Sequence, residues 1–171
     1  MLGDVHLREA EPADADVVAA IHVRAWQEGY RGLLPHDELQ SLRPADRASR
    51  YTFGSADPRD PATLVAVDGD AILGFVTVAG PPDDHGGTVG EVCALYVDPS
   101  WWGHGVGRAL IRAARSGLTL QGFTTAVLWM LVGNDRADRF YRSDGWEPDG
   151  ALRTKEAWGF TVHEIRYGRL L

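Results

Sequence analysis

One cysteine, Cys93, and two methionines are all the sulfur this chain holds. A single thiol excludes an intramolecular disulfide and any metal site built from cysteine pairs. The six histidines (His6, His22, His36, His85, His104 and His163) show no HExxH or other ligand spacing, so no metal is expected. No apolar run approaches the ~20 residues of a membrane span. Runs of Lys and Arg are also missing, and with a formal net charge of −7 the chain lacks the electrostatic footprint of a nucleic-acid binder. The stretch Met1-Leu2-Gly3-Asp4-Val5-His6 has no basic segment followed by an apolar one, unlike a secretory signal. The expectation is a cytoplasmic protein with neither membrane nor nucleic-acid partner. Repeats and low-complexity tracts are absent too.

What is present fits an ordinary core. The chain has 171 residues, 44% hydrophobic and 24% charged, which points to one domain over residues 1–171. Its acidity mildly favours a cationic or amine substrate, although solubility alone explains an acidic surface equally well.

Taken in order, residues 5–9 read as a first strand. Glu11-Pro12-Ala13-Asp14 then opens a helix, with proline in the first turn and acids at the positive end. Val17, Val18, Ile21, Ala25 and Trp26 recur at helical spacing to about Gln27, and Gly29 ends the run. Short helices are expected over 36–42 and 46–51. Strands at 64–67 and 71–78 flank Asp68-Gly69-Asp70, a hairpin signal. Residues 80–87 read as an acidic connecting loop. A strand over 89–97 leads into a glycine-rich loop and a helix whose apolar face is Val106, Leu110, Ile111 and Ala114. Residues 125–132 are apolar on both faces, as a strand covered from both sides must be. A helix from Asn134 stops near Gly145, and a last strand runs over 161–170.

The loop is the chemically telling stretch: Val97-Asp98-Pro99-Ser100-Trp101-Trp102-Gly103-His104-Gly105-Val106-Gly107-Arg108. Alternate glycines strip side chains from the backbone where a helix begins, and the free N–H groups there can hold a phosphate. The loop is no Walker motif, because Gly107 is followed by Arg108-Ala109 and not by Lys-Ser/Thr. Nor is it a dinucleotide fingerprint, which needs GxGxxG and an acid about 20 residues on.

The block resembles the acetyl-CoA pyrophosphate loop of the GNAT N-acetyltransferase superfamily, with Leu95-Tyr96-Val97-Asp98-Pro99 as the strand end and Gly105-Val106-Gly107 as the glycines. It departs from the family pattern at Trp102, where Gln or Arg is usual. A second family block, Asn134 to Trp146 with Phe140-Tyr141 and Gly145-Trp146, follows at the expected separation. The resemblance implies an α+β or α/β fold with a central mixed sheet of six to seven strands. That sheet would splay in a V between its fourth and fifth strands and be flanked by about four helices. It also implies acetyl-CoA as co-substrate and a primary amine, on a small molecule or a peptide, as acceptor. Dimers are common in the family, so a homodimer is an assembly the resemblance allows.

Site roles follow residue by residue from that resemblance. Leu95, Tyr96 and Val97 would offer backbone to the cofactor arm, and Trp102, Gly103, His104, Gly105, Val106, Gly107 and Arg108 would cradle its pyrophosphate. Asn134 would hydrogen-bond the arm, although asparagine at this place also suits an N-cap. Tyr141 aligns with the general acid that faces the sulfur; its competing reading is a tyrosine packed between helix and sheet. Glu91 stands where some family members keep a general base, or else is a strand residue facing solvent. Trp26, Tyr30 and His163 are candidate acceptor contacts, with a core role the competing reading for the two aromatics, and the more usual one for Trp26. Cys93 without a paired His/Asp set does not support covalent catalysis. The rival reading is a non-catalytic acyl-CoA sensor of the same fold.

Overall fold

Seven strands pair in the order β1-β2-β3-β4-β5-β7-β6 in the computed structural model, which describes residues 5–80 and 87–171. The strands are β1 (His6–Glu9), β2 (Ala62–Asp68), β3 (Ala71–Ala79), β4 (Val89–Val97), β5 (Thr125–Leu131), β6 (Glu147–Ala157) and β7 (Phe160–Leu170). The helices are α1 (Ala15–Gly29), α2 (His36–Ser41), α3 (Ala45–Ala48), α4 (Val106–Leu120) and α5 (Asp135–Ser143). All neighbouring strands are antiparallel except β4 and β5, which α4 connects in parallel. The mixed sheet and its flanking helices agree with the expected architecture, with two of the five helices very short.

The parallel pair is where the sheet opens. β4 pairs with β5 only from Val89 to Val92, opposite Thr125 to Leu128. β4 nevertheless continues to Val97 and β5 to Leu131, so their C-terminal halves diverge. A register shift against β3 coincides with the split: Thr77 faces Ala94 and Val78 faces Val92, leaving Cys93 as the extra residue of a bulge. Such an insertion bends the strand that carries it.

Two apolar layers hold the sheet flat against its helices. On one face Leu110, Ile111, Ala114 and Leu118 of α4, all 1% exposed or less, pack on Val92, Leu128 and Met130. Truncating one such leucine to alanine costs about 2–5 kcal/mol. On the other face Val18 and Ile21 of α1 pack on Val65 and Phe75, while Trp26 meets Leu39, Leu131, Phe160 and Val162.

Local differences from the sequence reading have local causes. Pro12 starts a short 3-10 turn ahead of α1, closed by the Asp14 carboxylate, which accepts from the Glu11 N–H at 2.8 Å and pairs with Arg8 at 2.7 Å. The third helix stops at Ala48 instead of reaching Tyr51, whose ring is drawn toward Phe53 and Phe75. β5 ends at Leu131, although the Val132 N–H still donates to the His163 carbonyl at 2.9 Å. The acidic loop and its His85 lie, for residues 81–86, outside the described residues, as do residues 1–4.

Candidate active site

A cavity of about 430 Å³ fills the wedge between the diverging halves of β4 and β5. That volume is in the range of small-ligand sites. It reaches from the glycine loop ahead of α4, past the start of α5, to the C-terminal end of α1.

The loop is fixed from behind. Asp98 accepts from the Ser100 N–H at 3.0 Å and from Arg24 Nε of α1 at 3.0 Å. Burial pushes the Asp98 carboxyl up, but the Ser100 and Arg24 bonds outweigh it and hold it below its ordinary value. Gly103 and Gly105 take φ of +78° and +87°, backbone that an L side chain rarely adopts. A Cβ on Gly107 would sit 3.4 Å from the Phe140 ring, so α4 and α5 pack closely here. The first bond into α4 runs from the Ala109 N–H to the Gly105 carbonyl at 3.0 Å. The N–H groups of Val106, Gly107 and Arg108 precede it and belong to the unpaired set at a helix start, where the partial positive charge favours an anion.

Trp102 lies across this loop. Its indole N–H donates to the Val97 carbonyl at 2.8 Å, and the Arg136 guanidinium stacks 3.3 Å from its ring centre. Trp102 follows β4 and Arg136 follows β5, so the contact joins the two arms of the wedge. Asn134 caps α5 through a bond that its Oδ1 accepts from the Ala137 N–H at 3.1 Å, and it also lines the cavity. The N-cap and cavity roles therefore coexist in geometry.

Three tyrosines converge on the inner end. The Tyr96 hydroxyl accepts from Trp26 Nε1 at 3.1 Å. Burial raises the pKa of Tyr30 well above its ordinary value, with Tyr96 and Tyr141 adding to the effect. Tyr96 is likewise raised by burial. Tyr141 is raised by burial first and by Tyr96 second, so its phenol keeps its proton at any physiological pH. Its ring rests edge-on to Phe140 and Trp146. No hydrogen-bond partner for its hydroxyl is found among the described residues.

The structure thus brings together Leu95, Tyr96, Val97, Trp102, Gly103, Gly105, Gly107, Arg108, Asn134, Tyr141 and Tyr30 around one cavity. Five other sequence candidates stand outside its lining. Glu91 is on the paired part of β4, opposite Ala79 and Val127. His104 turns back so that Nδ1 meets the Trp102 carbonyl at 2.9 Å. The Val106 side chain is buried in the core, leaving only its N–H toward the loop. Trp26 is 7% exposed and reaches the site through Tyr96, which it holds, and Tyr30, whose ring lies 4.9 Å away. His163 is exposed and bonded to Thr154 Oγ1 at 2.9 Å.

The sequence reading missed Arg136, Trp129 and Cys93, which also line the wedge. Arg136 was legible as the second residue after the Asn134 cap. Cys93 was not, because a bulge leaves no mark in the apolar pattern. Burial, with Glu91 second, pushes its thiol up to about 12.

Comparison with known proteins decides the family. Residues 19–146 match the family described as Acetyltransferase (GNAT) family. The chain belongs to the GNAT acetyltransferases. Over 131 residues it is 28% identical to the uncharacterized N-acetyltransferase YuaI of Bacillus subtilis, covering 76% of this chain and 73% of that one. It is 33% identical over 136 residues to a mycothiol acetyltransferase of Kocuria rhizophila, covering 77% of this chain but 43% of that protein's length. Its fold is similar to that of the PaiA N-acetyltransferase of Thermoplasma acidophilum, solved with coenzyme A, at a TM-score of 0.74 and 14% identity, over 99% of this chain and 100% of that one. As a GNAT, the chain is an N-acetyltransferase by family.

Proposed function

We propose that this GNAT transfers the acetyl group of acetyl-CoA directly to a primary amine of a small molecule or peptide. The observation that carries the reading is the Tyr141 hydroxyl, protonated and without a protein partner among the described residues, on the wall of the β4/β5 wedge. A phenol there is placed to give its proton to a thiolate leaving the acetyl carbon. The fit for acetyl-CoA rests on the glycine loop, whose unpaired N–H groups suit a pyrophosphate, and on the unpaired side of β4 from Cys93 to Val97. Arg108 and Arg136 line the same cavity without a carboxylate partner among the described residues.

Chemically, the amine arrives from the Tyr30 and Tyr96 side and its lone pair forms the new C–N bond as the C–S bond breaks. Tyr141 supplies the proton to sulfur, and the proton lost by nitrogen leaves through solvent. Glu91 is the one carboxylate on β4 and stands outside the cavity lining, so any part it takes in removing that proton passes through water. Holding both reactants in one wedge supplies much of the acceleration.

The test is thiol release from acetyl-CoA across a panel of amines, beside an amine-free blank and Tyr141→Phe. Release with one amine class, lost in the variant, supports the reading. Thermal stabilisation by acetyl-CoA without release over any amine would instead support a sensor.

A further inference from the structure

The wedge is lined from both faces of the sheet, and the two sides differ. On β5, Leu128 and Met130 pack under α4, so the alternate residues Trp129 and Leu131 face the α1 side. Cross-strand pairing agrees, because directly opposite residues share a face. Leu131 pairs with Glu164 and Trp129 with Arg166, and two steps further along that face of β7 Val162 packs with Leu131 and Trp26. Both charged side chains in the described lining, Arg108 and Arg136, belong to the α4 side, at the starts of α4 and α5 beside the glycine loop.

The α1 side presents rings. Tyr30 from the end of α1, Tyr96 from β4 and Trp129 from β5 line it, with Leu131 beside them. All three rings are held from behind. Trp26 donates to the Tyr96 hydroxyl at 3.1 Å, and its ring lies 4.9 Å from that of Tyr30. His22 stacks 4.2 Å from the Tyr96 ring. Arg153 and Arg166 lie 4.2 and 5.7 Å from the ring centre of Trp129. These two guanidiniums are themselves tied down, by Glu164 at 2.5 Å and Asp149 at 2.6 Å. Rings fixed in advance lose little freedom when a ligand meets them.

Apolar surface continues past the cavity on this side. Leu33, 39% exposed, donates its N–H to the Tyr30 carbonyl at 2.9 Å. Its side chain lies 3.2 Å from where a Cβ on Gly133 would stand, just beyond β5. The leucine thus joins the ends of two elements that frame the rings. Glu164, which faces the same side from β7, is already held by Arg153 and by Lys155 at 3.6 Å. A second ammonium on the acceptor would be desolvated against these rings at a cost.

We propose that Trp129, with Tyr30 and Tyr96, takes the body of the acceptor, and that this body is a flat apolar ring bearing its amino group on a short alkyl chain. This rests on the acetyl-transfer reading above. Such a body gains both apolar burial and offset or edge-on stacking. The same surroundings disfavour the ammonium form and so favour the neutral amine that attacks the thioester. Burying one ring corresponds to roughly 10- to 150-fold in affinity, and stacking favours a flat ring over a saturated one by roughly 2- to 12-fold.

The experiment compares kcat/KM for phenethylamine, cyclohexylethylamine, ethylamine and the polyamine spermidine, in the intact chain and in Trp129→Leu. The expected preference for phenethylamine is roughly 10- to 150-fold over ethylamine and roughly 2- to 12-fold over the cyclohexyl compound. The second ratio falls to about one in Trp129→Leu. Acetyl-CoA-induced thermal shifts check that the variant is folded. Calorimetric titration with N-acetylphenethylamine and N-acetylethylamine runs beside it and needs no turnover. Transfer without preference for the ring, or a flat-ring preference that survives in Trp129→Leu, overturns the assignment. Spermidine as the better acceptor overturns it too, as does neither binding nor transfer of the ring compounds. Ring-dependent binding, weakened in Trp129→Leu, without transfer to any amine keeps the ring site and overturns the acetyl-transfer reading instead.

Discussion

Trp102 donates its indole N–H to the Val97 carbonyl at 2.8 Å, tying the loop after β4 to the last residue of that strand. The bond also keeps the ring flat beneath Arg136. Trp102→Phe removes the N–H, at about 1 kcal/mol, and trims the ring on which Arg136 stacks. The expected outcome is a KM for acetyl-CoA raised about fivefold, with kcat within twofold. A kcat that falls with KM unchanged would place Trp102 in the chemical step.

Tyr141→Phe tests the proton donor. General acid catalysis by a positioned side chain contributes about 10²–10⁴, so kcat is expected to fall by at least a hundredfold while the acetyl-CoA dissociation constant stays within threefold. Equal losses in both would mean that Tyr141 serves the fold or the cofactor arm.

Glu91→Gln is the companion variant. Glu91 stands on the still-paired part of β4 and outside the cavity lining, so any base role passes through water. A loss below about tenfold in kcat/KM is expected, in contrast to direct proton transfer at 10²–10⁴. A thousandfold loss would require the carboxylate to touch the amine.

Cys93 is open to the cavity yet hard to ionise. With its thiol pushed up to about 12, first by burial, the thiolate is scarce at neutral and mildly alkaline pH. At pH 8.5 alkylation by iodoacetamide should be at least a hundredfold slower than that of a free thiol of pKa about 8.5. The rate should still be rising tenfold per pH unit at pH 10. A plateau near pH 9 would show an ordinary thiol.

How far the sequence could be read depended on what each feature leaves in the chain. Alternation and helical spacing are properties of single segments, so β4 at Val89–Val97 was legible to the residue, and the buried stripe of α4 in all but Leu118. The glycine loop and the Asn134 cap were legible because backbone geometry restricts which residues serve there. The cluster of His22, Arg47, Tyr51, Tyr96 and Trp158 was not. Its members come from α1, α3, the segment after α3, β4 and the β6–β7 turn, and only the closed fold makes them neighbours. Trp158-Gly159 carries no turn signal of the usual kind, since asparagine or glycine normally fills the first place of such a hairpin.

Buried His22 makes acid stability a direct probe of that cluster. Burial first, and the charge of Arg47 second, hold its pKa well below 6.5 in the folded chain. The unfolded chain therefore binds one more proton as pH falls past about 6.5. This contribution is full above that pH and is lost as pH falls toward the lowered folded value, at about 1.4 kcal/mol per unit for one proton. The carboxylates behave differently in range: Asp14, lowered chiefly by Arg8, and Asp98 lose their contributions only below the carboxylate values near 4. Urea unfolding at pH 7, 6 and 5 should thus show a stability slope in the intact chain that His22→Gln flattens, whatever that variant's stability at pH 7. The same slope in both proteins would mean that His22 is protonated in the folded state, and the imidazole would then face Arg47 as a second cation.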